Sequence, residues 1–315
     1  MASFEEIEQA AQTLHGVAHR TPLLQSSTFS DLTGNKVWFK AENLQRIGAF
    51  KFRGAYNKIS SLEAHERQLG VIAHSSGNHA QGVGLASKLL GVRAVVVMPE
   101  NSVLSKVEAT RGYGAEVVFC GEEFDDRARV TAELQARHGY VLVHPYDDPK
   151  IIAGQGTVGL EVLQELPDLE YFLVPVGGGG LIAGCSIAAK RLNPKVKVIG
   201  VETERANDAY QSFRAGKIVR IERADTIADG MRTLSVGTLN FDIIKKYVDD
   251  IITVSDEDVI AMLRFFLERM KTLVEPTGAV AAAALSSSKL NISGKKTCAV
   301  ISGGNVDLEG LNRLF

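Results

Sequence analysis

Short β-branched runs alternate with stretches of helical spacing along almost the whole chain, and this alternation limits the fold more than any other feature. The runs fall at residues 37–40, 70–74, 93–98, 116–120, 171–176, 197–201 and 297–301. Between most of them apolar residues recur at helical intervals, as in the stripe Val158, Val162, Leu163, Leu166. A second stripe runs Val259, Met262, Leu263, Phe266, Leu267, Met270, and Ser255 with Asp258 resembles a capping box at its start. Strand, loop and helix repeated this often predict an open, mostly parallel α/β sheet with right-handed crossovers. The 315 residues amount to about two domains at ~150 residues each. No low-complexity linker or solenoid-period repeat marks a boundary. The best break lies near residues 146–149, where the polar turn DDP follows a strand and precedes a glycine-spaced helix.

Charge and cysteine content narrow the function classes. Lys+Arg 35 against Asp+Glu 37 leaves a net charge of −2 and a pI near 6.4, so no basic field exists to hold nucleic acid or an anionic membrane. Cys120, Cys185 and Cys298 are far apart and odd in number, which argues against a disulfide framework and fits a reducing compartment. The acidic N-terminus MASFEEIEQA lacks a signal-peptide pattern. Apolar runs such as residues 279–285 fall well short of the ~18 residues a membrane span needs. The expectation is a soluble cytoplasmic enzyme or binding protein.

Four loops carry the residues of chemical interest. Gly177, Gly178, Gly179 and Gly180 sit between an apolar strand and a helix, where backbone N–H groups can converge on an anion at the positive end of the helix dipole. A tight turn alone would need only one or two glycines. The same stretch, Gly178-x-Gly180-x-x-Ala183 with Glu202 downstream, also satisfies a dinucleotide fingerprint, which keeps an NAD-binding oxidoreductase as a rival of a different class. Ser75-Ser76-Gly77-Asn78-His79 follows a strand and opens a helix; a helix cap explains it plainly, and a ligand loop at a strand's carboxyl end is the functional alternative. Lys51 lies between Phe50 and Phe52, either on an amphipathic edge or in an apolar setting that would leave its amine neutral and nucleophilic. Ser302-Gly303-Gly304-Asn305 follows the strand TCAVI.

In this order and spacing the loops resemble those of the fold-type II pyridoxal phosphate enzymes, in the serine racemase and serine/threonine dehydratase branch. The resemblance runs from TPLLQSS (21–27) through HPYDD (144–148), AGQGT (153–157), TIADGM (226–231) and EPTGA (275–279) to SGGNVD (302–307). It implies two α/β domains of the tryptophan synthase β-like kind with the site in the cleft between them. Residues 1–53 and 146–315 would form the large domain and residues 54–145 a small mobile one, in a homodimer. It implies Lys51 as the Schiff-base lysine, Gly177, Gly178, Gly179 and Gly180 around the cofactor phosphate, Asn78 on the ring's phenolic oxygen and Phe50 beside the ring. Ser302 would face the ring nitrogen, where a neutral hydroxyl does not enforce a pyridinium.

Within the branch, Ala49 in GAFKFRGA and the segment around Glu202, Ala206 and Asp208 resemble serine racemases, whose two carboxylates and one carbonyl at these positions bind a divalent cation. Hard oxygen ligands suit Mg²⁺, with Ca²⁺ or Mn²⁺ as alternatives. The implied activity is racemisation of serine together with dehydration of L-serine and L-threonine. Lys51 would be the base on one face and Ser76 the acid/base on the other, and Ser75, Ser76, Gly77, Asn78 and His79 would bind substrate, their loop taking the carboxylate on its N–H groups. A threonine or threo-3-hydroxyaspartate dehydratase without racemase activity is the neighbouring alternative; hydroxyaspartate needs a pocket cation that the sequence does not place. ATP is a further expectation as effector, at Tyr113, Lys271 and Asn305.

Overall fold

The computed structural model describes residues 2–122, 124–287 and 289–315 and has a mixed α/β fold with two sheets. Ten strands make them: β1 Leu23–Gln25, β2 Lys36–Ala41, β3 Val71–His74, β4 Ala94–Pro99, β5 Glu116–Cys120, β6 Val141–Leu142, β7 Tyr171–Pro175, β8 Lys197–Thr203, β9 Asp250–Val254 and β10 Lys296–Ile301. One sheet runs β1-β2-β10-β7-β8-β9, parallel except for the antiparallel β1–β2 pair. The other runs β5-β4-β3-β6 and is parallel throughout. All seven expected runs are strands. β1, β6 and β9 were not expected: the first two have three and two residues, too few to show a period, and β9 opens on the second of two adjacent aspartates.

Strands covered on both faces need no polar alternation, and every residue of β4, AVVVMP, is buried. The Pro276–Ser286 helix is buried from Thr277 through Leu285, as expected of a helix apolar all round, and packs between the six-stranded sheet and the Asp256–Phe265 helix. The Ser255–Asp258 capping box is formed at the start of the latter. Its apolar stripe continues past Phe265 as a π-turn over Phe266–Met270 before Lys271 reverses the chain in the left-handed region.

Two helices fix the glycine loop. The Pro149–Glu165 helix begins at Asp148, whose carboxylate accepts from the Lys150 and Ile151 amides, with Pro149 at the first position. It lies so close to the Gly180–Leu192 helix that a Cβ at Gly184 would stand 2.3 Å from the Ile152 carbonyl oxygen. The start of the Gly180–Leu192 helix is thereby held at the carboxyl end of β7. The three cysteines are free and buried, and no helix among the described residues is long and apolar enough to cross a membrane.

Candidate active site

The carboxyl ends of the strands gather the four loops into one region. Lys51 is the first residue of the Lys51–Ser60 helix, and its Nζ donates to the Pro145 carbonyl at 2.7 Å, with the Phe50 ring centroid 5.2 Å away. Burial pushes this amine down from its ordinary 10.5 to about 8. It has no ion pair among the described residues. Phe50 N–H donates to the Ser302 carbonyl at 3.1 Å and Ala49 bridges Gly303, so the lysine loop and the Ser302 loop are stitched together. Ser302 itself is buried, and its hydroxyl donates to the Thr277 carbonyl at 3.3 Å.

The Asn78–Leu90 helix begins with Gly77 as its N-cap and no side-chain cap. Neither Ser75 nor Ser76 caps it: the Ser75 hydroxyl accepts from the Gly77 amide instead, at 3.2 Å. The first-turn N–H groups are therefore left for a ligand, which the capping explanation does not provide. This helix crosses directly over Lys51, since a Cβ at Gly82 would stand 3.3 Å from the Lys51 carbonyl. The Asn78 side chain donates to Glu275 Oε1 at 2.6 Å and accepts from Asn305 Nδ2 at 2.8 Å, leaving one N–H of its amide for another partner. His79 turns inward, its Nε2 2.8 Å from the Val143 carbonyl, so only its backbone belongs to the loop's open edge.

Gly177 to Gly180 are all buried, and Gly179 takes the left-handed conformation at φ 91°. The Gly178 carbonyl accepts from Asn240 Nδ2 at 2.7 Å and from the Gly237 amide at 3.1 Å, so it is already satisfied by the protein. The Gly180–Leu192 helix starts here without a side-chain cap. A Cβ at Gly178 would lie 2.2 Å from the Tyr146 ring, and one at Gly180 would lie 2.8 Å from the Tyr146 carbonyl. The site is a cradle that side chains would fill, at the positive end of a helix, and it suits a phosphate group.

Glu202 and Asp208 are buried as a pair. Burial raises the pKa of each carboxyl, and Asp208 raises Glu202 further. Glu202 Oε2 accepts from the Tyr210 amide at 2.8 Å and Asp208 Oδ1 from Thr233 at 3.3 Å, while Glu202 Oε1 and Asp208 Oδ2 lack partners. Two orphaned carboxylate oxygens, with Ala206 between them in sequence and bridged to Thr203, fit a hard cation. The same geometry removes the dinucleotide reading of Glu202, because its carboxyl is buried against Asp208 and not presented to a ribose.

Tyr113, Lys271 and Asn305 are not gathered by any hydrogen bond or ion pair among the described residues. Asn305 is engaged with Asn78 and the Ile47 carbonyl, Lys271 is exposed, and Tyr113 packs against Gly84. The sequence reading missed Glu275, Thr277, Tyr146 and Asn240, all of which touch the candidate residues, and Asp229, which touches Thr277. EPTGA had been noted as a motif, but the role of its glutamate, paired with Asn78 across 197 positions, had no local signal.

A family model described as "Pyridoxal-phosphate dependent enzyme" matches residues 15–303. The chain is 48% identical over 315 residues to an L-threonine ammonia-lyase of Thermotoga maritima, covering all of this chain and 78% of that one. It is 46% identical over 307 residues to an L-threo-3-hydroxyaspartate ammonia-lyase of Saccharomyces cerevisiae, covering 98% and 94%. The solved structure of maize serine racemase matches with a TM-score of 0.96 at 39% identity, covering 99% of this chain and 96% of that one.

Proposed function

The chain belongs to the pyridoxal-phosphate dependent enzyme family, and from that premise we propose that it converts L-serine and L-threonine to the corresponding 2-oxo acid and ammonia and interconverts L- and D-serine. The observation that carries the reading is the Lys51 amine: partly buried, without an ion pair among the described residues, lowered to about 8, and under the Asn78–Leu90 helix, whose start lacks a side-chain cap. When bound, pyridoxal phosphate would supply an aldehyde that captures the substrate amine and a conjugated ring that delocalises the electrons left when the α-proton departs.

This chain's residues do the rest. The glycine loop would hold the phosphate on its N–H groups. The free N–H of the Asn78 amide would meet the ring's phenolic oxygen, and the Ser302 hydroxyl, on turning its hydrogen from the Thr277 carbonyl, would meet the ring nitrogen without adding charge. The uncapped turn after Gly77 takes the substrate carboxylate. Lys51 Nζ removes the α-proton from one face, and its lowered pKa makes the neutral amine abundant near pH 8. Ser76, in the loop before Asn78, returns a proton to the opposite face when D-serine forms.

The test is a product balance on L-serine with Mg²⁺ present, counting D-serine by chiral chromatography and pyruvate together, then repeated with L-threonine and threo-3-hydroxyaspartate. D-serine beside pyruvate supports the reading, and Ser76→Ala should then cost racemisation more than elimination. Pyruvate without D-serine leaves an ammonia-lyase and removes Ser76 from the scheme. Activity confined to hydroxyaspartate overturns the substrate assignment.

Two expectations concern the cradle and the carboxylate pair. Gly178→Ala forces a methyl into the Tyr146 ring, an overpacking that costs about 1–3 kcal/mol. Read as cofactor affinity in an absorbance titration, that is a roughly 5- to 150-fold loss. Tyr146→Ala in the same chain should restore much of it, because the Gly178 backbone is not in the left-handed region. At the carboxylate pair, adding Mg²⁺ to chelator-treated protein should raise the melting temperature, and Asp208→Asn should abolish that rise. A melting temperature indifferent to Mg²⁺ in the unaltered protein removes the cation site.

A further inference from the structure

The Leu104–Gly112 helix belongs to the four-stranded layer, where it packs on the Asn78–Leu90 helix and β5. Its link to the six-stranded layer by ion pair or hydrogen bond, among the described residues, is Lys106, whose Nζ donates to Asp229 Oδ2. The preceding Val103 and its neighbour Leu104 are exposed at 43% and 67%, so apolar packing of these residues does not hold the helix down. The Lys106 side chain is nearly covered at 14% exposure and Asp229 is 41% exposed, so the pair stands at the edge of the site.

One hydrogen-bonded branch leads inward from this pair, and one electrostatic link joins it to Glu275. Asp229 Oδ1 accepts from Thr277 Oγ1 at 3.5 Å, the Gly230 amide donates to the same hydroxyl at 2.9 Å, and the Thr277 carbonyl accepts from Ser302. Glu275, two residues before Thr277, accepts from Asn78. Burial and then the Asp229 charge raise the Glu275 carboxyl, while Lys106 works the other way. Burial would lower the Lys106 ammonium, but Asp229 and Glu275 outweigh it and raise it. Swinging the Leu104–Gly112 helix away would leave two carboxylates facing each other with their cation gone.

We propose that the Lys106–Asp229 pair is a latch between the two layers, and that both residues act as positioning residues which hold the site closed and keep Thr277, Ser302 and Asn78 in register. The proposal rests on the pyridoxal phosphate reading of the site. Neither residue touches the reacting atoms; each acts through the groups it holds.

The test compares the holoenzyme with Lys106→Met, Asp229→Asn, Lys106→Arg and the charge-reversed pair Lys106→Asp/Asp229→Lys. The first readout is the rate at which borohydride bleaches the visible cofactor band without substrate, and the second is the division of any loss between KM and kcat. Lys106→Met and Asp229→Asn should bleach roughly tenfold faster and raise KM by about the same factor, a coupling of ordinary size for two linked elements, with kcat falling less. Lys106→Arg should stay within about twofold of the parent, and the reversed pair should recover part of the protection. Bleaching at the parent rate in both Lys106→Met and Asp229→Asn overturns the latch. A parent protein that forms no visible band overturns the cofactor reading instead, so the two failures are distinct. Should Lys106→Met fail to fold, Asp229→Asn reports on the same pair from the exposed side.

Discussion

Lys51→Ala is expected to remove both elimination and racemisation while leaving the protein folded. The loss of a positioned base alone accounts for roughly 10²–10⁴-fold in rate, and the loss of the attachment point for the cofactor adds to it. The structure gives no reason for the chain to unfold, because among the described residues the amine makes one hydrogen bond, to Pro145, and no ion pair. Its burial disfavours the ammonium form. Between pH ~8 and 10.5 the unfolded chain holds a proton on this lysine that the folded chain has released. Stability therefore rises with pH through that window. The alanine variant should lose that rise and melt no lower than the parent apo-protein near neutral pH. Capture of pyridoxal phosphate by the parent apo-protein should accelerate as pH approaches about 8 and level off above it, well short of the value of an exposed lysine. Product formation, the visible band and the melting curve measured on one preparation decide the matter; turnover that survives the substitution would sink the assignment.

How far such a site can be read from sequence depends on whether its residues are held by neighbours in the chain or by partners far away. The strands of the two sheets are legible because a strand buried on both faces is a run of β-branched residues, as β4 is from end to end. β6 is invisible because two residues carry no period. The capping box at Ser255 is local and was readable; the uncapped start at Asn78 was not, because Ser75 and Ser76 look like caps and only the fold shows that they do not act as such. The glycine loop announces itself by the absence of side chains, but the tyrosine that explains why Gly178 must be bare lies 32 positions earlier. Glu202 and Asp208, six positions apart, were singled out as cation ligands only through the resemblance, because nothing local shows that burial brings their orphaned oxygens together. Lys106 lies in no quoted motif, and Asp229 and Glu275 lie in TIADGM and EPTGA without any local sign of their partners, since their chemistry lies in pairings across more than a hundred residues.

Arg53 is the clearest case of a residue whose sequence setting conceals its role, and its replacement should be the most damaging to stability. Two positions after Lys51, it is almost fully buried, and its guanidinium is bidentate to Glu42, with Nε to Oε2 and Nη2 to Oε1 both at 2.8 Å. Nη1 reaches Glu161 Oε1 at 2.7 Å and Nη2 reaches Glu161 Oε2 at 3.0 Å. Lys40, also buried, donates to Glu161 Oε2 at 2.6 Å, so two cations and two carboxylates balance. Burial on its own would raise the Glu42 carboxyl, but Arg53, with help from Lys40 and Thr21, holds it below its ordinary 4.5. A depressed carboxyl adds stability that is present above its unfolded value and is lost as pH falls through the folded one, so this contribution disappears only in acid. Arg53→Met removes one cation and leaves Glu42 and Glu161 facing Lys40 alone in a buried setting. Breaking such a pair costs about 3–5 kcal/mol, which urea unfolding should register as a lower midpoint with little change in slope. Arg53→Lys keeps the charge but cannot span both carboxylates, and should fall between the two. The decisive comparison is Arg53→Met with Glu42→Gln, which restores the charge balance. If the uncompensated carboxylate is the cause, the second substitution recovers part of the loss; if the double variant is weaker still, the guanidinium acts by packing, and the electrostatic account of this cluster is wrong.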